Sequence, residues 1–246
     1  AGKWLVAGGM GGWCHAFDCG STPVPDTEIT VYDQVGIVAK VQATKQGVVI
    51  LNSALRKVNL TKDEGQGPHP LATFFLGHAA SNMFWGRKTL ANYTPVLFWS
   101  GGDIYLYRFS IPNDLAYPRH LAVAVSIRSA AIVDSLLVLS VAKSGLWVYR
   151  ISPNYTLEFR AQVEVTSEIG LLIDIPSWPS CLAGIQSNQL SRISFVDPVS
   201  PHFDTTIILP LEVTDAYVDD SLLYTIGPES TAVWTTASDG SLPVLA

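Results

Sequence analysis

Short apolar runs, each closed by turn residues, fill this chain from end to end. Residues 127–133, 136–141, 146–151 and 157–165 are four such runs within about forty residues. Asp134-Ser135, Lys143-Ser144-Gly145 and Ser152-Pro153-Asn154 separate them. Runs of this length, rich in Val, Ile, Leu and aromatic residues and bounded by turns, predict strands. The same plan continues downstream through 170–175, 181–185, 190–196 and 205–209, and again through 216–218, 222–226, 232–235 and 242–245. Upstream, 95–99 and 104–109 flank Gly101-Gly102-Asp103, and 121–125 closes that group. Residues 36–41, 47–51, 55–60 and 71–76 form an earlier group, and 4–9, 10–20 and 28–32 the first. Two stretches, 61–70 and 111–120, contain prolines or glycines and predict long surface loops.

The groups share wording as well as rhythm. Arg108-Phe109-Ser110, Arg150-Ile151-Ser152 and Arg192-Ile193-Ser194 stand 42 residues apart. Asp103-Ile104-Tyr105-Leu106-Tyr107 occupies the place that Gly145-Leu146-Trp147-Val148-Tyr149 takes one period later. A repeat of about 40 residues built from four strands marks a β-propeller or similar array. The prediction is one all-β domain over 1–246, a propeller of about six four-stranded blades at 1–35, 36–80, 81–126, 127–166, 167–211 and 212–246. The first group lacks an innermost strand. Either 242–245 crosses over to complete that blade and close the ring, or the blade has three strands, or the chain is a fragment of a longer propeller.

Ala131-Ile132-Val133-Asp134-Ser135 and the segment from Gly145 to Pro153 resemble the repeat of LVIVD-type bacterial surface propellers and, more loosely, WD-repeat propellers. Residues 103–110 and 189–194 share the likeness. Arg150 stands where the LVIVD consensus has an aspartate, and no Gly-His and Trp-Asp pair is present. The double glycines at 8–9 and 101–102 resemble those of kelch propellers, and Ser238-Asp239-Gly240-Ser241 part of a sialidase Asp-box. The resemblance implies a scaffold; its function must be sought in sites carried on it.

Composition narrows the partners. The apolar fraction is 48% and the charged fraction only 15%, so core outweighs solvated charge. The net charge of −6 with no basic cluster argues against nucleic acid. No run approaches the ~20 apolar residues of a membrane helix, so membrane insertion is not expected. No signal peptide is visible, although an Ala-Gly start suits a cleaved form. Three sequons, at Asn59, Asn92 and Asn154, make these residues glycosylation candidates and favour a secreted or extracellular location. Cys14 and Cys19 are candidates for a disulfide across a tight loop; two buried thiols and half a metal site remain alternatives. Cys181 reads as a small buried hydrophobe.

The repeated arginines suit anion binding by their planar forks. The plainer reading places them on one face of third strands, facing solvent or paired with an acid such as Glu158 or Asp197. Trp13, Trp85 and Trp178 fall in predicted loops and are candidate platforms for a sugar or a protein. His15, Asp63, Glu64 and His69 join them as binding candidates. The leading expectation is a non-catalytic scaffold recognising a protein or glycan partner through loops on one face, with no cofactor. The alternative is a metal-assisted hydrolase or lyase using Glu168, Asp174, Glu212, Asp215 and Asn82 at the central channel. No nucleophile elbow, zinc helix motif or phosphate loop supports it.

Overall fold

The computed structural model describes residues 4–8, 14–18, 26–29, 37–44, 47–63, 68–87, 90, 93–110, 114–219, 222–236 and 243–245. The chain divides into two compact units, Ala1–His120 and Leu121–Ala246. In the first unit, β1 (Trp4–Gly8), β2 (Cys14–Asp18) and β3 (Asp26–Ile29) form a three-stranded meander. A four-stranded meander follows: β4 (Val38–Thr44), β5 (Gly47–Asn52), β6 (Lys57–Asp63) and β7 (Pro68–Phe75). Another comprises β8 (Asn82–Trp85), β9 (Thr94–Ser100), β10 (Asp103–Ser110) and β11 (Asp114–Ala122).

The second unit contains three four-stranded meanders. The first is β12 (Ile127–Val133), β13 (Leu136–Val141), β14 (Gly145–Ile151) and β15 (Leu157–Val163). The second is β16 (Leu171–Ile173), β17 (Cys181–Gln186), β18 (Gln189–Ser194) and β19 (His202–Ile208). The third is β20 (Asp215–Asp219), β21 (Leu222–Ile226), β22 (Thr231–Thr235) and β23 (Val244–Leu245). The expected six four-stranded blades are therefore corrected to five. Among the described residues the first sheet has three strands, and β23 pairs with β22 at the outer edge of its own sheet.

Burial explains why each run became the strand it did. All six positions of β13 are buried, because neighbouring layers cover both faces of a second strand. Its sequence is accordingly almost wholly apolar. The one polar residue, Ser140, donates its hydroxyl to the Ile169 carbonyl at 2.5 Å, which removes the cost of burying it. Each fully buried Leu or Val here stabilises the fold by about 1.5–3 kcal/mol. Third strands alternate instead: Tyr149 and Ile151 of β14 are buried while Arg150 between them is exposed. The β13–β14 hairpin needs Gly145. Its φ is +81°, and a Cβ there would lie 2.1 Å from the Val163 carbonyl oxygen.

Both predicted long loops are largely strand. β6 and β7 run through 61–70 and leave only 64–67 outside the described residues; β11 occupies most of 111–120. Pro68, Pro70 and Pro118 signalled loops, but β7 and β11 are outermost strands. An outer edge tolerates a residue that cannot donate to the next strand. Among the described residues three outer pairings are bulged. Val148 faces Ala161 and Tyr149 faces Phe159, which leaves Arg160 as the extra residue. The β6–β7 and β18–β19 ladders shift similarly.

Side chains also tie neighbouring sheets together within each unit. The Gln42 amide accepts from the Trp85 N–H at 2.8 Å and donates to the Trp85 carbonyl at 2.9 Å. In the second unit the Ser129 hydroxyl accepts from the Leu172 N–H at 2.9 Å.

Candidate functional site

A cleft of about 460 Å³ opens in the second unit where two hairpins and a loop meet. The 134–135 turn joins β12 to β13, with Asp134 at a φ of 52°, a conformation aspartate tolerates better than most residues. Ser180, leading into β17, donates its hydroxyl to the Asp134 carboxylate at 2.6 Å. The third wall is the β18–β19 loop. There Asp197 accepts from the Val199 N–H at 3.0 Å, closing an Asx turn, and the Ser180 carbonyl accepts from the Phe195 N–H. The loop is thus held at several points, yet Val196 is 82% exposed and Val199 61% exposed. Two large aliphatic side chains left in water on a fixed loop are the feature of this surface that packing does not explain.

Charge enters from β14 and β15. Arg150 is exposed and stands across the ladder from Glu158. The Glu158 carboxylate is taken by Arg160, the residue that the bulge turns toward the cleft. Among the described residues no carboxylate lies within ion-pair distance of Arg150. The two other repeated arginines differ. Arg108 of β10 lies over the Tyr93 ring at 5.9 Å. Arg192 of β18 lies over Trp178 at 5.5 Å, with its Nε 3.4 Å from the Cys181 sulfur and 3.6 Å from the Asp204 carboxylate. All three occupy third strands, as their spacing predicted. The acid beside Arg192 is Asp204; Asp197 serves its turn instead.

The predicted site residues do not gather here. Trp85 closes β8 and Trp178 precedes β17; both are fully buried core residues, so neither is an exposed platform. Trp13, Glu64, Cys19 and Asn92 lie outside the described residues. His15 and Cys14 lie on β2, Asp63 ends β6 and His69 lies on β7, with their side chains not described. Asn59 is buried in β6 and accepts a hydrogen bond from the Thr73 hydroxyl, so the folded chain does not present it; Asn154 is exposed at the β14–β15 hairpin. Of the acids considered for a metal, Glu168 pairs with Arg128, Asp174 is buried beyond β16, and Asp215 accepts from the Ala216 N–H. Among the described residues no three His, Cys, Asp or Glu side chains come together. Arg160, Val196 and Val199 escaped sequence reasoning. Two valines flanking Asp197-Pro198 were the available signal, but Val196 read as the end of a strand and Val199 as part of the loop after it.

A second polar cluster lies in the first unit. His78 stacks on Tyr105 at 3.4 Å, and Tyr105 on His120 at 4.5 Å. The His78 Nδ1 donates to the Ala79 carbonyl, so in the neutral ring Nε2 accepts from the Tyr107 hydroxyl. Burial holds the His78 pKa below its usual value, helped by the charges of His120 and Arg56. Burial likewise pushes the Tyr107 hydroxyl up to about 12. His120 pairs with Asp103 at 2.8 Å.

No family model and no curated protein matches the chain. Solved structures do. A functionally unknown protein from Desulfotomaculum acetoxidans is similar over 98% of this chain and 77% of its own, at 10% identity and a TM-score of 0.67. A chain in the crystal structure of the mitotic checkpoint complex matches over 96% and 72%, at 12% identity and 0.64. A chain in the structure of BBS1N in complex with ARL6DN matches over 98% and 73%, at 9% identity and 0.59. The fold is a β-propeller. Identities this low speak for the fold alone, so the propeller's role must come from its surface.

Proposed function

We propose that this propeller is a non-catalytic interaction scaffold that recognises a protein partner, with the cleft beside β14 and the β18–β19 loop as its contact site. One observation carries the reading: two solvent-exposed aliphatic side chains, Val196 and Val199, share a fixed concave surface with an arginine that forms no ion pair among the described residues. Interfaces join apolar anchors to arginine in this way. A protein partner fits better than a glycan. Sugar rings favour an exposed aromatic face, whereas Phe195, the ring at this cleft, is buried. Two of the similar structures are of protein complexes, which agrees with a scaffold role. A secreted location belongs to the same proposal, with exposed Asn154 as the acceptor it offers.

The test uses a random peptide display library selected on the immobilised chain. Selected sequences are then compared on wild type and on a V196D/V199D variant of matching thermal midpoint. Binders that the variant loses support the reading. Equal binding to both chains overturns it, and glycan-array hits abolished by V196D/V199D would replace the protein partner with a sugar.

A further inference from the structure

Resting on that reading, the charges around the cleft define its occupant more closely. Three ionisable side chains line it: Asp134, Arg150 and Arg160. Asp134 accepts from the Ser180 hydroxyl, and Arg160 is neutralised by Glu158. Arg150 is left with its planar fork uncommitted, between the exposed valines of one wall and the bulged outer strand of the other. We infer that the cleft binds an extended segment of a partner protein that presents one carboxylate side chain to Arg150 and aliphatic neighbours to Val196 and Val199.

Each part follows from a feature already described. A carboxylate matches the guanidinium fork in shape and charge, and forms paired N–H···O bonds to it. A single acid suffices, because a second would meet Asp134 and Glu158. Aliphatic neighbours complement the valines, whose covering removes apolar surface from water. A volume of about 460 Å³ suits several side chains of a segment. It falls within the ~300–1,000 Å³ of ligand-sized clefts and is small for the face of a folded domain. Arg150 specifies the acid and the valines supply burial, so the two contributions are separable by mutation.

The probe is a set of fluorescent, terminally blocked hexapeptides with Asp at one central position and Val, Leu or Ala on either side. Sister peptides carry Asn in place of Asp, and a third set has a free C-terminus and no internal acid. Binding is read by polarisation. The Asp peptides flanked by Val or Leu bind, and the Asn sisters bind tenfold or more weakly. R150A weakens the Asp peptides by a similar factor and leaves the Asn peptides unchanged. R150K recovers part of the loss, because an ammonium lacks the fork. R128Q, an arginine outside the cleft, changes nothing. Equal affinity for Asp and Asn peptides, or indifference to R150A, overturns the inference. If such peptides still require Val196 and Val199, the interaction-scaffold reading survives while the carboxylate inference falls. Response to Arg150 confined to the free C-terminal set would make the occupant a chain end and overturn the internal acid.

Discussion

The fourth and fifth sheets in chain order, β12–β15 and β16–β19 (blades four and five below), each carry an arginine of the repeated Arg-Ile-Ser on the third strand, yet give it opposite surroundings. Both outer ladders are bulged beside it. In blade five the irregular segment carries Asp204, which pairs with Arg192 above the Trp178 ring. In blade four the extra residue is Arg160, which takes the nearby Glu158 and leaves Arg150 open. One structural device thus neutralises a cation in one blade and frees it in the next. A repeated residue marks register; whether it is also available to a partner depends on what the neighbouring bulge brings.

The buried end of this comparison is the costliest to disturb. Trp178→Ala removes the ring under Arg192 from a fully buried site and lowers stability by about 3–5 kcal/mol, read by urea denaturation. A loss below about 1 kcal/mol would show that Trp178 does not anchor blade five. Arg192→Ala costs about 1–2 kcal/mol, combining a partly buried ion pair with lost packing on the indole. A double-mutant cycle with Asp204→Asn should return a coupling of about 0.5 kcal/mol or more. The same cycle on Arg150 and Glu158 should return almost none.

Acid pH acts on the first unit through His78. His78 has a folded pKa below 6.5, so the unfolded chain binds the proton first. Its contribution is complete above about pH 6.5 and is lost as the pH falls below that value. The groups facing it are Tyr105, Tyr107, His120, Arg56 and Asp103. Amides of the first unit should lose exchange protection between pH 7 and 5.5, and His78→Phe should blunt the loss. Protection that is flat with pH in the parent chain would refute it. The smallest change in stability, within about 0.5 kcal/mol, is expected for Arg160→Asp. It gives blade four the acid that blade five has. Binding of the Asp peptides should fall about tenfold while the thermal midpoint holds; unchanged binding would show that the open arginine is not what distinguishes the blades.

Blade four was legible almost residue by residue. Its four strands alternate or saturate with apolar residues as their burial requires, and its turns carry Asp-Ser, Lys-Ser-Gly and Ser-Pro-Asn. Outer strands were harder to see. Prolines that bar a central strand are harmless at an edge, so the start of β7 and much of β11 read as loop. The tryptophans misled for a related reason. Turn residues beside Trp85 and Trp178 say where the backbone bends but do not say where an indole points, and both point inward. The cleft was out of reach because it depends on a bulge. A one-residue slip between strands leaves no periodic mark, and it alone decides that Arg160 joins Arg150.

The side-chain ties between sheets have a consequence for how this molecule can be watched. The backbone N–H of Trp85 is sealed by Gln42, and that of Leu172 by Ser129, each partner standing 43 residues earlier on the preceding sheet. Fraying of an outer strand leaves both protons covered, and only the parting of adjacent layers releases them. The two amides are therefore built-in gauges of how firmly one repeat grips the next, readable one at a time by hydrogen exchange in the intact chain.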